Sequence, residues 1–411
     1  MRRIWISVFA AAAFAAFGQT NNESRLTPAD VGCCLTNEST SEVTEPDSGG
    51  GAGRPRVVRE APEPKTIIVP VNAPDPLQVF IDEANPGDEI VVAPGVYDMG
   101  GRQLNKEGPA TRLVIDKPLT LRSEKGPEKT IIAGGPSTRC IYMTNGVKVI
   151  GFTITGGETM KEGTEGNKFT ALSGGGVWSE PEGVLENCTV VSNTALWYGG
   201  GLYGGKAVNC MFTENTARRS GGGASQAELL SCVVQLNRAG QYGGGAHHCK
   251  VISCTVAHNR SEIMGGGLAY GSALNTAVQY NQTLLGNHNF FSVKMSYCCS
   301  DPKPNGAGNI GGDPGFRNGD QGVYTLEFNS PMIDSGTNVF YTTTDFAGVP
   351  RILDGNNNRH ARIDIGAFEY VHPLADTDLD GVSDRDEIKA GTGGGWFEHP
   401  AEEPVGNAST P

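Results

Sequence analysis

The sequence predicts an all-β fold: a right-handed parallel β-helix wound in 22-residue coils, with a capping helix at its N-terminal end. Three residue classes recurring in one phase predict it. Triple-glycine runs begin at Gly174, Gly199, Gly221, Gly243 and Gly265, and after a first interval of 25 each lies 22 residues beyond the last. Cys188, Cys210, Cys232 and Cys254 repeat at 22 residues, and so do Asn193, Asn215, Asn237, Asn259 and Asn281. One short strand with glycine-rich bends cannot close a core alone. Coils stacked in register at ~4.8 Å can, with equivalent side chains piled into ladders.

Taken in chain order, residues 1–18 read as a secretory signal: Arg2 and Arg3 precede an apolar core over 4–17, and Ala16-Phe17-Gly18 offers small residues for cleavage. Residues 19–65 are rich in Asn, Ser, Thr, Glu, Pro and Gly. They cannot bury enough apolar surface to offset their ordering entropy, so a disordered linker is expected. Asp75-Pro76 then starts a helix, a cap followed by proline at the first position, with Leu77, Phe80, Ile81 and Ala84 on one face to plug the first coil. Short β-rich runs at 90–92, 119–121, 130–132, 141–143 and 150–154 form the less regular early coils, and 158–170 reads as an inserted loop.

In the regular coils, alternation around the cysteines sets Val208, Cys210 and Phe212 inward, with matching sets Leu230, Cys232, Val234 and Ile252, Cys254, Val256. Glu186 breaks this pattern. The glycine runs take bends needing positive φ or close backbone approach. The asparagine column is placed at a turn, in the left-handed conformation, with amides bonding the coils above and below. The cysteine column leaves two readings open: disulfide staples between neighbouring coils, or buried free thiols serving as small apolar residues.

Composition narrows the function. The chain has 58 glycines in 411 residues, about twice the usual share, without collagen's third-residue period. A net charge of -13 argues against a nucleic-acid partner. Beyond the N-terminus no apolar run approaches the ~20 residues of a membrane-spanning helix, so no membrane span is expected in the mature chain. Ten cysteines in an exported chain permit disulfides without specifying them.

Several motifs carry a family resemblance. Asn85-Pro86-Gly87-Asp88-Glu89-Ile90-Val91-Val92-Ala93-Pro94-Gly95-Val96-Tyr97 resembles the opening coil of pectate-lyase-like β-helix proteins. The repeats, with Phe212-Thr213-Glu214-Asn215 as the fullest match, are similar to those of chlamydial-type polymorphic outer membrane proteins. Gly311-Gly312-Asp313-Pro314-Gly315-Phe316, Ser330-Pro331-Met332-Ile333-Asp334-Ser335-Gly336 and Asp364-Ile365-Gly366-Ala367-Phe368-Glu369-Tyr370 resemble the closing segment of exported bacterial choice-of-anchor Q proteins. Together these cover residues 66–370 and imply a secreted or cell-surface protein, associated with the outer membrane or the extracellular space.

After the solenoid, in the segment 371–392, Asp376-x-Asp378-x-Asp380-Gly381 followed by Glu387 fits the twelve-residue calcium loop over 376–387. Asp376, Asp378 and Asp380 would give carboxylates, Val382 its carbonyl, Asp384 a water-mediated contact and Glu387 a bidentate one, holding a structural calcium. Pro373 leaves no room for an entering helix, so the loop resembles a thrombospondin type 3 or dockerin-like repeat. A disordered tail over 393–411 follows.

Columns flanking the glycine runs give the candidate binding surface. Trp178, Tyr203, Ser225 and His247 share one phase; Trp197, Arg219 and Gln241 share another; Tyr198, Ser220, Tyr242 and Met264 a third. Aromatic rings against sugar faces and arginines forked to uronate carboxylates would suit a polysaccharide or cell-surface glycan. For catalysis, Arg218, Arg219, Arg238 and His247 are candidates by position alone. No aspartate falls in the regular coils from Gly174 to Gly267, and Glu214 and Glu228 fall in different phases, so the paired carboxylates of a hydrolase are not in view. His247, His248 and His258 lie in neighbouring phases, which leaves two readings, a metal site or, more commonly for a surface histidine cluster, an incidental grouping. The expectation is a non-enzymatic adhesion, binding or envelope protein, with a polysaccharide lyase or glycoside hydrolase acting on acidic polysaccharide as the alternative.

Overall fold

The computed structural model of the chain describes residues 63–391, apart from 74, 105–107, 164–167, 318 and 320–323. The expected signal at 1–18, the linker up to 62 with Cys33 and Cys34, and the tail from 392 lie outside the described residues.

Parallel pairing runs through the whole repeat region, and the chain is a right-handed parallel β-helix. One column pairs Thr66 with Glu89, then Thr120, Lys148, Val184, Lys206, Glu228, Lys250, Ser272 and Lys294. A second carries Thr189, Met211, Val233, Thr255, Ala277 and Cys299. A third carries Trp178, Tyr203, Ser225 and His247. A smaller sheet carries Thr194, Thr216, Arg238, Arg260 and Gln282. A continuous apolar core runs inside these columns from Val69 to Cys298.

The corners correct the expected phase. Asn187, Asn209, Ser231, Ser253 and Asn275 adopt positive φ near 50°. A left-handed residue turns the chain and resets which side chains face inward. Leu185 and Cys188 are therefore inside, while Glu186 faces out, 3.5 Å from Lys148. Likewise Ala207, and not Val208, lies in the core, and Glu186 breaks no pattern once the corner is placed between the two strands. Leu230 and Ile252 also fall on the outer side of this corner, yet both are buried.

A second correction concerns the asparagines. The positive φ belongs to the residue before each one, at Ser192, Glu214, Leu236, His258 and Tyr280. The asparagines themselves are fully buried and form the expected ladder. Asn215 Nδ2 donates to Asn237 Oδ1 (3.0 Å) and to the Val190 carbonyl (2.8 Å), and the Asn215 backbone N–H donates to the same Oδ1 (3.0 Å). Asn237, Asn259 and Asn281 repeat this, and Asn289 continues it by accepting from Asn281.

All eight described cysteines are buried free thiols. Cys232 N–H donates to Cys254 Sγ (3.2 Å), and the thiols of Cys210, Cys232 and Cys254 donate to carbonyls two residues back. Burial pushes the thiols of Cys210 and Cys232 well above their ordinary value, so they stay protonated and unreactive. The glycine runs serve close approach: a Cβ on Gly222 would lie 2.3 Å from the Arg238 carbonyl and 2.5 Å from that of Gly244.

At the N-terminal end, helix α1 (Leu77–Glu83) begins after Pro76 at the N-cap, with no side-chain capping bond, so the cap expected of Asp75 is not made. Leu77 and Ile81 join the core. Gln78 stands in for a missing strand: its Oε1 accepts from Val114 N–H (2.7 Å) and its Nε2 donates to the Val114 carbonyl (3.0 Å). The inserted loop carries a short helix, α2 (Lys168–Leu172).

The closing segment, residues 310–370, folds over the outer face of the later coils. Arg351 is 1% exposed and ties it down, donating to Glu369 Oε1 (2.9 Å), the Gly366 carbonyl (3.0 Å), Ser231 Oγ (2.9 Å) and the Ser253 carbonyl (3.1 Å). Buried carboxylates hold its loops by accepting backbone N–H groups: Asp364 from Asp334 and Tyr370, Asp345 from Ala347, Val349 and Glu369. Burial pushes Asp364 up to about 8, Asp334 up to about 6 and Glu369 well above its ordinary value. The folded segment thus keeps protons that an unfolded chain sheds near the ordinary carboxyl value. Stability is therefore expected to fall as pH rises from ~4 toward ~8 and to level off above that. Calorimetric melting across this range checks it: the slope should shrink in Asp364→Asn, and a flat profile in the parent chain contradicts it.

Candidate functional site

The third column brings aromatic side chains into one stack. Tyr142, Trp178 and Tyr203 stack in sequence, with centroids 5.3 and 6.1 Å apart and planes tilted by 10° and 23°. In-register coils force this, since each ring starts one strand spacing above the last. Beside the platform lies a groove of about 470 Å³ whose lining includes Trp178, Tyr203, Gln226, Glu228, His248 and Lys250. Gln226 and His248 reach it from positive-φ corners, which aim their side chains outward.

Its chemistry combines a cation with groups that can carry protons. Lys250 Nζ lies 2.8 Å from Glu228 Oε1, and this bond holds the ammonium above its usual range. Partial burial pushes His248 down, toward the neutral imidazole, and pushes the Tyr203 hydroxyl up, keeping it protonated. Tyr142 donates to Glu180 Oε1 at 3.3 Å, and Glu180 also lines the groove. Trp178 Nε1 is buried and, among the described residues, has no hydrogen-bond partner.

The other residues singled out by sequence fall nearby or apart. His247 stands in the Trp178 column, as its phase implies, but it is 9% exposed, bonded to Ser225 Oγ (3.3 Å) and stacked on Tyr198 (5.7 Å). Burial pushes it down to about 3, so it is a neutral packing residue. Tyr242 packs on Tyr270 and Phe291, two coils from Tyr198. Arg219 sits 4.1 Å over the Trp197 ring. Arg218 lines a different groove together with Arg238. The three histidines do not converge: His247 and His248 are adjacent, whereas His258 stacks on Tyr280 and bonds the Gly319 carbonyl. Glu214 and Glu228 also stay apart, as their phases imply, with Glu214 accepting from Ser192. Sequence reading missed Gln226, His248 and Lys250 as groove residues, and Tyr142 as a member of the ring stack. The 22-residue run Lys206, Glu228, Lys250 was the available signal.

At the C-terminal end, Asp376, Asp378 and Asp380 bring carboxylate oxygens within 4.8 Å of one another. Gly381 takes φ 96° in the tight turn, and its N–H donates to Asp376 Oδ2 (2.9 Å). Helix α3 (Asp384–Ala390) follows and ends at Gly391 in the left-handed conformation. Asp384 is engaged within the protein: its two oxygens accept from Thr377 N–H (2.8 Å) and Thr377 Oγ1 (2.7 Å). Thr377 Oγ1 also accepts from Asp354 N–H, so the loop is tied to the closing segment. Burial first, then the four aspartates, push Glu387 up. Asp376 Oδ1 is buried and, among the described residues, unpartnered. A concave set of hard oxygen donors with mutual repulsion and an orphaned carboxylate oxygen fits a hard divalent cation.

No protein-family model matches the chain, and a search of curated proteins finds no match. Among solved structures, the chain is similar to the crystal structure of pectate lyase Pel9A, with 11% identity over 74% of this chain and 96% of that one, at a TM-score of 0.41. It is also similar to an alginate lyase from Paenibacillus sp. str. FPU-7, with 12% identity over 56% of this chain and 99% of that one, at a TM-score of 0.26.

Proposed function

We propose that the protein is exported and acts on an acidic polysaccharide, seating a uronate chain in the Trp178–Lys250 groove and cleaving it by β-elimination. The observation that carries this is the meeting, in one groove, of a ring platform, a cation and two proton carriers of opposite readiness. Trp178 and Tyr203 would take sugar faces, and Lys250 the uronate carboxylate, drawing charge from the carbon beside it. Neutral His248 takes the proton from that carbon. The electron pair left behind becomes the new carbon–carbon double bond as the glycosidic C–O bond breaks with its own pair. Tyr203 donates a proton to the leaving oxygen.

Absorbance from new double bonds, on a panel of uronate polymers, tests it. His248→Ala should lower the rate at least about a hundredfold, the usual worth of a general base, with binding retained. No product from any uronate polymer would overturn the cleavage step. A second reading, non-enzymatic binding, draws on the Lys250–Glu228 ion pair, which competes for the substrate carboxylate. Under it the polymer binds and Glu228→Gln tightens binding without turnover.

Calcium belongs to this reading as a structural ion at the C-terminal loop. Asp376, Asp378, Asp380 and Glu387 would hold it through side chains and Val382 through its carbonyl, while Asp384 braces Thr377 and is free only for a water-mediated contact. Calcium at a thousandfold excess over its Kd should stabilise the protein by about 4 kcal/mol, read as a rise in Tm that chelator reverses. Asp376→Asn/Asp378→Asn should abolish the response. An unchanged Tm at millimolar calcium contradicts the site.

A further inference from the structure

A different face of the solenoid carries an unmatched stack of cations. On the groove side, charges of opposite sign alternate from coil to coil: Lys206, Glu228 and Lys250 share one register, and Glu228 and Lys250 pair at 2.8 Å. Lys148 and Glu186, and Arg122 and Glu89, pair across neighbouring coils in the same way. On the smaller sheet, Arg238 lies directly beneath Arg260 in register, with strands ~4.8 Å apart. Like charges directly opposite are destabilising in a sheet. Among the described residues, the side chains of Arg218, Arg238 and Arg260 make no ion pair or hydrogen bond, and all three are exposed.

The surface around them is grooved. Arg218, Arg238 and Arg260 line a depression of about 530 Å³, and Arg238 and Arg260 also line a neighbouring one of about 270 Å³ beside His258 and Tyr280. Glu262 is the acidic residue in the larger depression. Arg219, held over Trp197, stands one residue beyond Arg218. A stripe of unpaired guanidinium groups on a chain of net charge -13 is a local exception that a polyanion would relieve.

We infer that this arginine stripe is a second glycan site, seating an acidic polysaccharide strand along the solenoid axis with anionic groups forked to Arg218, Arg238 and Arg260. Arginine suits the role because its planar fork meets carboxylate and sulfate bidentately. The site goes beyond the proposed groove. It takes its ligand class from that reading but uses none of the groove's residues, so it would hold the polymer while the groove works on another stretch. Carboxylate and sulfate share the chemistry, and the probes below separate them.

The test is titration calorimetry of the full chain against polygalacturonate, dextran sulfate and neutral dextran. Arg238→Ala/Arg260→Ala should lower affinity for the preferred polyanion about tenfold or more for each arginine removed, and flatten the salt dependence. Turnover of a uronate trisaccharide, too short to span both sites, should be unchanged in the same variant. Lys250→Ala provides the contrast, removing the groove's cation and leaving the stripe. Both arginines are exposed, and an unchanged Tm confirms that the variant is folded. Preference for polygalacturonate identifies carboxylate as the ligand group, and preference for dextran sulfate identifies sulfate. The inference is overturned if the parent chain binds neither polyanion, if neutral dextran binds equally, or if only Lys250→Ala weakens binding. Absence of trisaccharide turnover by the parent chain, with polyanion binding still weakened in Arg238→Ala/Arg260→Ala, would sink the groove reading and leave this one standing.

Discussion

Asn237→Leu is expected to destabilise the solenoid by about 4 kcal/mol, the sum of two or more buried polar groups left unpaired. The side chains are close in size, so the effect isolates hydrogen bonding from packing. In the parent chain Asn237 Oδ1 accepts from both the backbone and the side chain of Asn215, while Nδ2 donates to the Phe212 carbonyl and to Asn259 Oδ1. Leucine would strand the Asn215 N–H and the Phe212 carbonyl, both enclosed where water cannot reach. The reverse change at Leu236, one residue earlier and 48% exposed, offers a control: Leu236→Asn sits at a left-handed position that asparagine tolerates, and should be neutral or slightly stabilising. Chemical denaturation of both variants checks the pair. A loss below about 1 kcal/mol for Asn237→Leu would mean that the ladder bonds are replaced by solvent.

Arg351→Met should cost about 3–5 kcal/mol at a pH high enough to ionise Glu369, whose carboxylate is then buried without its cation. The loss should be local in its first effect. Arg351 also donates to Ser231 Oγ and to the Ser253 carbonyl, joining the closing segment to two successive coils, and Ala367 N–H donates to Thr255 Oγ1 beside them. Limited proteolysis is expected to cut within 310–370 first, while hydrogen exchange at the asparagine ladder stays slow. Adding Glu369→Leu should recover part of the loss by removing the stranded acid. At low pH the single variant should suffer less, since protonated Glu369 no longer needs the guanidinium. Equal proteolytic resistance in Arg351→Met and the parent would show that the segment is held by its apolar contacts, such as Tyr324 and Phe368, and not by this anchor.

Much of this architecture was legible in the repeat itself. Glycine, cysteine and asparagine at one spacing defined the coil length, and the same spacing placed Trp178, Tyr203, Ser225 and His247 in one column. The corner at Asn187 was not legible, because strict alternation carries straight through a left-handed residue when the turn lacks glycine or proline. That error put Val208 inside in place of Ala207 and made Glu186 look anomalous. Leu230 and Ile252 misled in the other direction: both are buried, and each precedes a serine, Ser231 or Ser253, that accepts from Arg351 of the closing segment, a contact between residues about a hundred positions apart that no local pattern records. The groove was half visible. Its rings follow from phase, but His248 and Gln226 come from a corner whose outward aim depends on positive φ. The arginine stripe was visible at Arg218 and Arg238. Its meaning depends on Arg260 falling in register above Arg238, and on the absence of acidic partners among the described residues.

The claim that most depends on these coils stacking as described is that the Trp178–Lys250 groove receives a uronate chain. A crystal structure of His248→Ala soaked with a uronate trisaccharide addresses it directly. The account predicts sugar rings lying against Trp178 and Tyr203 with a carboxylate at Lys250. An empty groove at saturating ligand, or sugar bound only at a site away from those three residues, would contradict it.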